Sequence, residues 1–357
     1  MIEIFNERFF VPFKLNAPNR VSVILGSEPV LRLGFTFDDG ADKIAIEKDA
    51  LMLSLSTGEK KALYILNLLF EIEVRIKAGI ETLLIVDDIA DSFDYKNKYA
   101  IIQYLKDLSE DQKFKQVILT HNFDFFRTIN SRFVRSDHCL MATKNSSGVA
   151  LEVALGVKNV FIKDWKPNFF TDSRKQVASI PFIRNLIEYT KGHNDPDYSK
   201  LTSLLHWKAD SLNISVGDLD GIYQRTFGGT GTSVDPAAKV ITVIHHEAGL
   251  CLTAATGINF ENKIVLAIAI RLKAEEFMVS KIADPAWVAA ITRNQTPKLL
   301  ARYKMQFSGG TASIATIQRV VLMTPENIHL NSFMYEPILD MSDEHLRKLY
   351  AEVVALK

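Results

Sequence analysis

Residues 83–88 read LLIVDD, four apolar residues that end in two adjacent aspartates, Asp87 and Asp88. A short, continuous apolar run of this kind is typical of a strand that is buried on both faces of a parallel sheet. A carboxylate at the end of such a strand is costly unless a cation or a hydrogen-bond donor compensates it. The run therefore predicts a ligand site where the strand ends, which is where open α/β sheets bind their ligands.

The segments on either side of this run predict the rest of an α/β lobe. Residues 57–78 carry apolar positions at helical spacing, and residues 116–119, QVIL, predict a second buried strand. Strands joined by a helical crossover are typical of a parallel sheet. By the same patterns we expect an antiparallel β region over 20–48, helices over 96–110 and 123–129, and strands near 133–142 and 149–155.

Residues 55–59, LSTGE, combine two features at the start of the first long helix. Ser56 and Glu59 have the S-x-x-E spacing of a capping box. Gly58 allows backbone N–H groups to approach a phosphate, whose negative charge the helix dipole favours. A capped helix and a phosphate-binding turn are compatible, so the sequence supports both interpretations.

His121 follows the second apolar strand, in the sequence VILTHN. A single histidine is more often structural than functional. Its place directly after a buried strand, beyond the aspartate pair in the chain, favours a role as a hydrogen-bond donor to a phosphate at the same sheet edge.

These segments together resemble the bacterial ABC-type ATPases of the PrrC/RloC type. The segments that carry the resemblance are LSTGEKKALYILNLLFEIE, LLIVDDIADSFDYKNKYAIIQYL and VILTHNFDFFRT. The resemblance covers about residues 1–155, and residues 327–343 are similar to the tail of such ATPases. That family is linked with phage defence, and named members have anticodon-nuclease activity.

The resemblance implies a site that binds ATP and Mg²⁺. Asp87 corresponds to the Walker B residue that holds the metal through its water shell, and Asp88 to the residue that positions or deprotonates the attacking water. His121 corresponds to the switch histidine. Most ABC enzymes have a glutamate where Asp88 stands, which is one methylene longer, so the efficiency of water activation is in question.

The resemblance also implies a homodimer. Ser56, Thr57, Gly58 and Glu59 correspond to the ABC signature loop, which serves the nucleotide bound by the opposite protomer. Asp94, in the sequence SFD, corresponds to the D-loop contact across that dimer.

A phosphate loop of the form G-x-x-x-x-G-K-[ST] does not occur in the 357 residues. The glycine-rich stretch at residues 228–233, GGTGTS, has no lysine after a glycine and is typical of an ordinary loop. We therefore expect part of an ABC-type P-loop ATPase lobe. The Walker A half would come from a segment ahead of residue 1, lost by truncation, or from a partner chain.

Beyond a linker at residues 160–172 the sequence becomes mostly helical. The expected organisation is an α/β lobe over residues 1–160, followed by a mainly α-helical effector or regulatory domain over residues 161–357. Candidate helices in the second domain are 174–191, 197–207, 216–226, 235–249, 260–280, 285–293 and 343–356.

In PrrC-type proteins a nuclease part follows the ATPase and uses an Arg-x-x-x-Glu pair with a later histidine. Arg184 and Glu188 have that spacing, which places them on one helical face, and His206 follows. The resemblance implies that Arg184 holds a tRNA phosphate while Glu188 or His206 transfers protons. An ordinary ion pair and a core histidine are the alternative.

Two other functions stay open at this point. The helical domain is also compatible with a binding or regulatory module that has no nuclease activity. An SMC-like DNA-repair ATPase is the third candidate, although the neutral charge and the large helical part argue against it.

Composition sets the remaining expectations. The 42 basic and 42 acidic residues balance, so no global field favours nucleic acid or a membrane. Two distant cysteines, Cys139 and Cys251, argue against a disulfide framework and suit a reducing compartment. The longest apolar run, residues 264–270, is too short to span a bilayer, and residues 1–12 do not resemble a signal peptide. We therefore expect a cytoplasmic protein without a membrane partner.

Overall fold

The computed structural model describes residues 2–30, 32–38, 42–89, 95–145, 148–154, 160–254, 260–307, 309–324 and 342–356. The chain divides into two compact units, Met1–Arg135 and Ser136–Lys357. This division falls before the linker that the sequence predicts at residues 160–172.

The first unit contains short strands and helices grouped around one long helix. Its described elements are α1 (Ile2–Arg8), β1 (Phe13–Asn16), α2 (Arg20–Ile24), β2 (Gly34–Asp38), β3 (Lys43–Ile46), α3 (Lys48–Ser54), α4 (Thr57–Ala78), β4 (Thr82–Asp87), α5 (Tyr95–Ser109), β5 (Phe114–Leu119) and α6 (Phe123–Arg132).

Two sheets are formed by these strands. Strands β1, β2 and β3 make an antiparallel sheet in that order. Strands β4 and β5 pair in parallel, with Leu83 beside Lys115 and Asp87 beside Leu119. The helical crossover through α5 therefore produces the parallel pair that the sequence predicts.

The first residues of the expected antiparallel region, 20–24, do not form a strand. Residues 20–24 form the short helix α2, because Asn19 folds the segment back on itself. The Asn19 amide group donates to the Glu28 carboxylate at 2.6 Å and to the Val30 carbonyl at 2.8 Å, and its oxygen accepts the Arg32 N–H at 2.8 Å. The alternation of apolar residues in the sequence cannot predict these three hydrogen bonds of the Asn19 side chain.

The core of the first unit joins aromatic side chains to the apolar face of α4. Phe5 stacks on Phe9 and Phe13, with ring centroids 4.7 and 5.9 Å apart. Leu66 and Leu69 of α4 are buried in the same cluster. The inner face of the β4–β5 pair packs against this core.

Among the described residues of the first unit, the parallel pair is covered on its inner face. Val86 is buried in the core, with Leu84 and Ile118 packed against it. On the outer face the exposed fractions are 61% for Leu83, 64% for Ile85, 44% for Val117 and 48% for Leu119. The expectation that β4 is buried on both faces is therefore wrong for this chain.

The second unit is mostly helical. It opens with an antiparallel hairpin of β6 (Leu140–Asn145) and β7 (Gly148–Val153). The described helices are α7 (Ser173–Ala178), α8 (Ile180–Lys191), α9 (Pro196–Thr202), α10 (Val216–Phe227), α11 (Val240–Cys251), α12 (Phe260–Ile282), α13 (Pro285–Ala289), α14 (Gln295–Gln306), α15 (Thr311–Met323) and α16 (Asp343–Val354).

The helices differ from the predicted set in their bounds, in one division and in two additional members. The segment 174–191 is divided into α7 and α8 at Ser179, because Pro181 has no N–H to continue a helix and instead favours the first turn of α8. The sequence patterns also did not predict α14 and α15.

Helix α12 is the centre of the second unit. It packs against α7, α11, α14, α15 and α16. Its interior positions include the buried charged residues Arg271 and Glu275. In the described part of the chain, no helix combines the length and the apolar character that a membrane span requires.

Candidate functional site

The parallel pair brings three predicted site residues to one edge. Asp87 ends β4 beside Leu119, the last residue of β5. The Asp88 N–H donates to the Leu119 carbonyl at 3.0 Å, so the backbone pairing continues one residue beyond the end of β4. Asp87, Asp88 and His121 therefore lie together where the two strands end, as the sequence predicts.

Asp88 and His121 are in direct contact. The Asp88 Oδ1 accepts the His121 backbone N–H at 3.1 Å, and Nδ1 of the imidazole lies 2.9 Å from the same oxygen. Asp88 has φ +45°, a left-handed conformation that costs most residues energy but that Asp tolerates comparatively well. The two contacts with His121 hold this turn in place.

The site is an open anionic edge. The Asp88 side chain is 43% exposed and that of His121 is 73% exposed, and Asp87 is also exposed. The hydrogen bond from the His121 backbone lowers the pKa of the Asp88 carboxyl below its ordinary value, so the group is an anion at neutral pH. A ligand in solution can reach all three side chains.

The edge fits a magnesium ion that is carried mainly by its substrate. The described residues contain no group of three or more His, Cys, Asp or Glu side chains placed to hold a metal ion. Mg²⁺ usually keeps several waters and takes only one or two carboxylates together with substrate phosphates. The exposed carboxylate of Asp87 at the strand end suits that mode of binding.

Sequence reasoning missed the residues that position His121. The Thr120 Oγ1 accepts the Asn122 N–H at 3.1 Å, and the Asn122 Oδ1 accepts the Phe125 N–H at 2.9 Å at the start of α6. His121 is therefore held between a strand end and a capped helix. The signal was present, because Asn before a helix is a standard N-cap residue.

The predicted signature loop is a capped helix start. The Ser56 Oγ accepts the Glu59 N–H at 3.4 Å, and the Glu59 Oε2 accepts the Ser56 N–H at 2.7 Å. This capping box confirms the structural interpretation of LSTGE. Thr57 and Gly58 are the first two residues of α4. Asp94 lies outside the described residues.

In the second unit, Arg184 and Glu188 are brought together as expected. The Arg184 side chain is buried, and its Nη1 lies 3.3 Å from Glu188 Oε2. Its Nε donates to Thr202 Oγ1 at 2.9 Å, and its guanidinium lies 4.2 Å from the centroid of the Tyr198 ring and hydrogen-bonds the phenol oxygen. Tyr198 was not predicted, and it occupies donors that a phosphate ligand would need.

His206 has a fully buried partner. Its Nδ1 lies 2.8 Å from Glu275 Oε1, and Glu275 also accepts the Trp207 N–H at 2.7 Å, the Gln295 amide at 2.7 Å and the Thr296 hydroxyl at 2.6 Å. Burial raises the pKa of Glu275, but the charge and hydrogen bond of His206 help to lower it below its ordinary value. These contacts make His206 part of the core that joins α12 to α14.

One comparison with known proteins gives a match, which covers most of the first unit and the start of the second. Residues 28–151 match the model of an AAA domain. This part of the chain is therefore similar to an AAA domain, and ATPases of the AAA type generally use ATP and Mg²⁺. A search of curated proteins found no match. A search of solved structures also found none.

We expect His206→Ala to lower the free energy of unfolding by about 1.5–3 kcal/mol, because it removes a hydrogen bond to a buried carboxylate. Urea unfolding followed by tryptophan fluorescence measures this change, since all three tryptophans, Trp165, Trp207 and Trp287, lie in the second unit. The matched control is His193→Ala at an exposed position, which should stay within about 0.5 kcal/mol of the parent. Equal stability of both variants would contradict a structural role for His206.

Proposed function

We propose that the first unit supplies the metal-binding and water-activating half of an ATP hydrolysis site. The observation that carries this proposal is the contact between Asp88 and His121 beside Asp87, at the carboxyl edge of the parallel pair. The match to an AAA domain over residues 28–151 supports it.

Each side chain has a role that fits its environment. Asp87 would hold Mg²⁺ through water, and bound ATP would supply the γ-phosphoryl group. Asp88 is an anion at the edge, so it is suited to accept a hydrogen bond from the attacking water and position it. His121 is exposed and is suited to donate to the γ-phosphate once its imidazole turns away from Asp88.

A second polypeptide segment completes the site in this proposal. The 357 residues contain no phosphate loop, so the Walker A half would come from a preceding segment or from a partner chain. The N-terminus of α4, with Ser56 and Gly58, would then contact the nucleotide of the opposite protomer in a homodimer.

We further propose that the complete protein is an ATP-driven component of a phage-defence system of the PrrC/RloC type. Its helical unit would be the part that ATP binding controls. The buried network of Arg184 and the core position of His206 favour a regulatory module over an anticodon nuclease that acts on tRNA.

We expect the 357-residue chain alone to show no ATP turnover above background, because its sequence contains no phosphate loop. After completion with a phosphate-loop segment, Asp88→Asn should lower kcat by about 10²–10⁴, while Asp49→Asn at an exposed position of α3 should leave it unchanged. A steady-state phosphate-release assay measures both. Robust turnover by the chain alone, abolished by Asp88→Asn, would overturn the proposal of a half-site.

Ser56→Asp separates the capping role of Ser56 from a role at the nucleotide. Aspartate is as good an N-cap as serine, so the thermal stability of the first unit should be preserved. Its negative charge would repel a γ-phosphate, so ATP-dependent dimerisation of the protein completed with a phosphate-loop segment should weaken about tenfold or more by analytical ultracentrifugation. Dimerisation equal to that of the parent would show that Ser56 only caps α4.

The regulatory proposal predicts intact tRNA after activation of the full system in cells. Northern analysis of tRNA should give the same result for the parent, for Glu188→Gln and for the control Tyr189→Phe on the exposed side of α8. The variants Arg184→Ala and His206→Ala should also leave tRNA unchanged. Cleaved tRNA in the parent and in Tyr189→Phe, but not in Glu188→Gln, would instead establish the nuclease.

A further inference from the structure

His245, on α11, has an imidazole whose nitrogens are buried without a hydrogen-bond partner. Both ring nitrogens are nearly inaccessible to solvent, and neither meets a donor or an acceptor among the residues that the structure describes. By contrast, His206 has Glu275 and His121 has Asp88. A buried polar group usually has a partner, because its hydrogen bonds to water are otherwise not replaced. The surroundings of His245 therefore favour the uncharged form of its ring, since an unpaired buried charge costs more than an unpaired dipole.

Lys273 is the charged side chain that acts on His245 from α12. Burial, followed by the positive charge of Lys273, lowers the pKa of His245 from its ordinary value of 6.5 to about 4. The Lys273 Nζ is paired with Glu276 Oε2 at 2.7 Å, three residues further along α12. A proton on His245 would therefore place a second cation beside Lys273 inside the fold.

The other elements packed against α11 direct their charges elsewhere. Arg174 of α7 donates to Glu247 Oε2 at 3.1 Å. The turn at residues 211–213, SLN, has no titratable side chain. On α16, Tyr350 is buried, and burial raises the pKa of its phenol, so the group is neutral in acid. Among the described residues, none of these groups compensates a positive charge on His245.

Helix α16 lies against the backbone of α11 at the same point. The Tyr350 hydroxyl donates to the His245 carbonyl at 3.3 Å, and Arg347 donates to the Ala254 carbonyl at 2.6 Å, beyond the end of α11. The helix also packs on α12 and α15. Its buried apolar side chains are Leu346, Leu349 and Val353. Side-chain contacts hold α16 in place, so it can separate as one helix while α11 and α12 stay paired.

We propose that protonation of His245 releases α16 from α11 and α12, which makes the second unit an acid-sensitive switch. The cationic ring gains hydration when α16 separates, and water screens it from Lys273. This inference does not depend on the proposed ATP site, because every residue in it belongs to the second unit.

The direction of the pH effect follows from proton linkage. The docked form holds His245 at a lowered pKa, so it binds fewer protons than the released form does. The contribution of His245 to docking is therefore complete above about pH 6.5 and is lost as the pH falls towards about 4.

Hydrogen exchange of the full chain, followed by mass spectrometry and corrected for the intrinsic effect of pH, tests the release. The opening constant of the peptide 343–354 should rise about twentyfold from about pH 7 to about pH 5, as expected for one group with these two pKa values. Peptides of α8, which packs against α7, α9 and α10, serve as the internal reference and should keep their protection.

His245→Leu removes the titration. Because both ring nitrogens lack partners among the described residues, an apolar side chain should leave the protection of α16 unchanged or higher at about pH 7. The increase in opening at about pH 5 should disappear. His246→Gln, at the neighbouring position where the side chain is 69% exposed, is the matched control and should keep the response of the parent.

Lys273→Met gives a second test that keeps the apolar stem of the side chain. Without the cation the pKa of His245 moves back towards 6.5, so the increase in opening on acidification should be smaller than in the parent. This variant leaves the imidazole in place, so it tests the proposal even if His245→Leu does not fold.

Each of three results would overturn the switch. The first is equal opening of the peptide 343–354 in the parent at both pH values. The second is a full acid response in His245→Leu, which would assign the response to another group. The third is loss of protection in α8 together with α16, which would mean that acid unfolds the whole unit instead of releasing one helix.

Discussion

The parallel pairing of β4 with β5 is the constraint on which the candidate site depends. The two strands come from different parts of the chain, and their register places Asp87 beside Leu119. One residue further, Asp88 meets His121 at 2.9 Å. A shift of one residue in this register would turn the apolar side chains to the other face and separate the carboxylates from the imidazole. The core around Leu66 and Val86 holds the register, because it buries only the inner face.

Two carboxylates show how the surroundings of a side chain separate an accessible group from a structural one. Glu275 is fully buried and accepts hydrogen bonds from His206, Trp207, Gln295 and Thr296, so all its interactions are internal. Asp88 is partly exposed and sits at a left-handed backbone position. A buried carboxylate with every lone pair engaged stabilises packing, whereas an accessible one at the end of a strand can exchange partners with a ligand. The difference in surroundings, more than residue type, separates these two roles.

The sequence by itself determined the local elements and the chemistry they carry. The S-x-x-E spacing and helical periodicity predicted α4 with its cap, and two apolar runs with polar ends predicted the parallel pair and its edge, because these signals lie within a few residues of each other. Only the tertiary structure decided that the outer face of β4 is exposed and that Tyr198 hydrogen-bonds the Arg184 guanidinium. It also decided that the partner of His206 is Glu275, 69 residues away. Burial and long-range hydrogen bonds depend on which elements meet in space, and local spacing does not encode that.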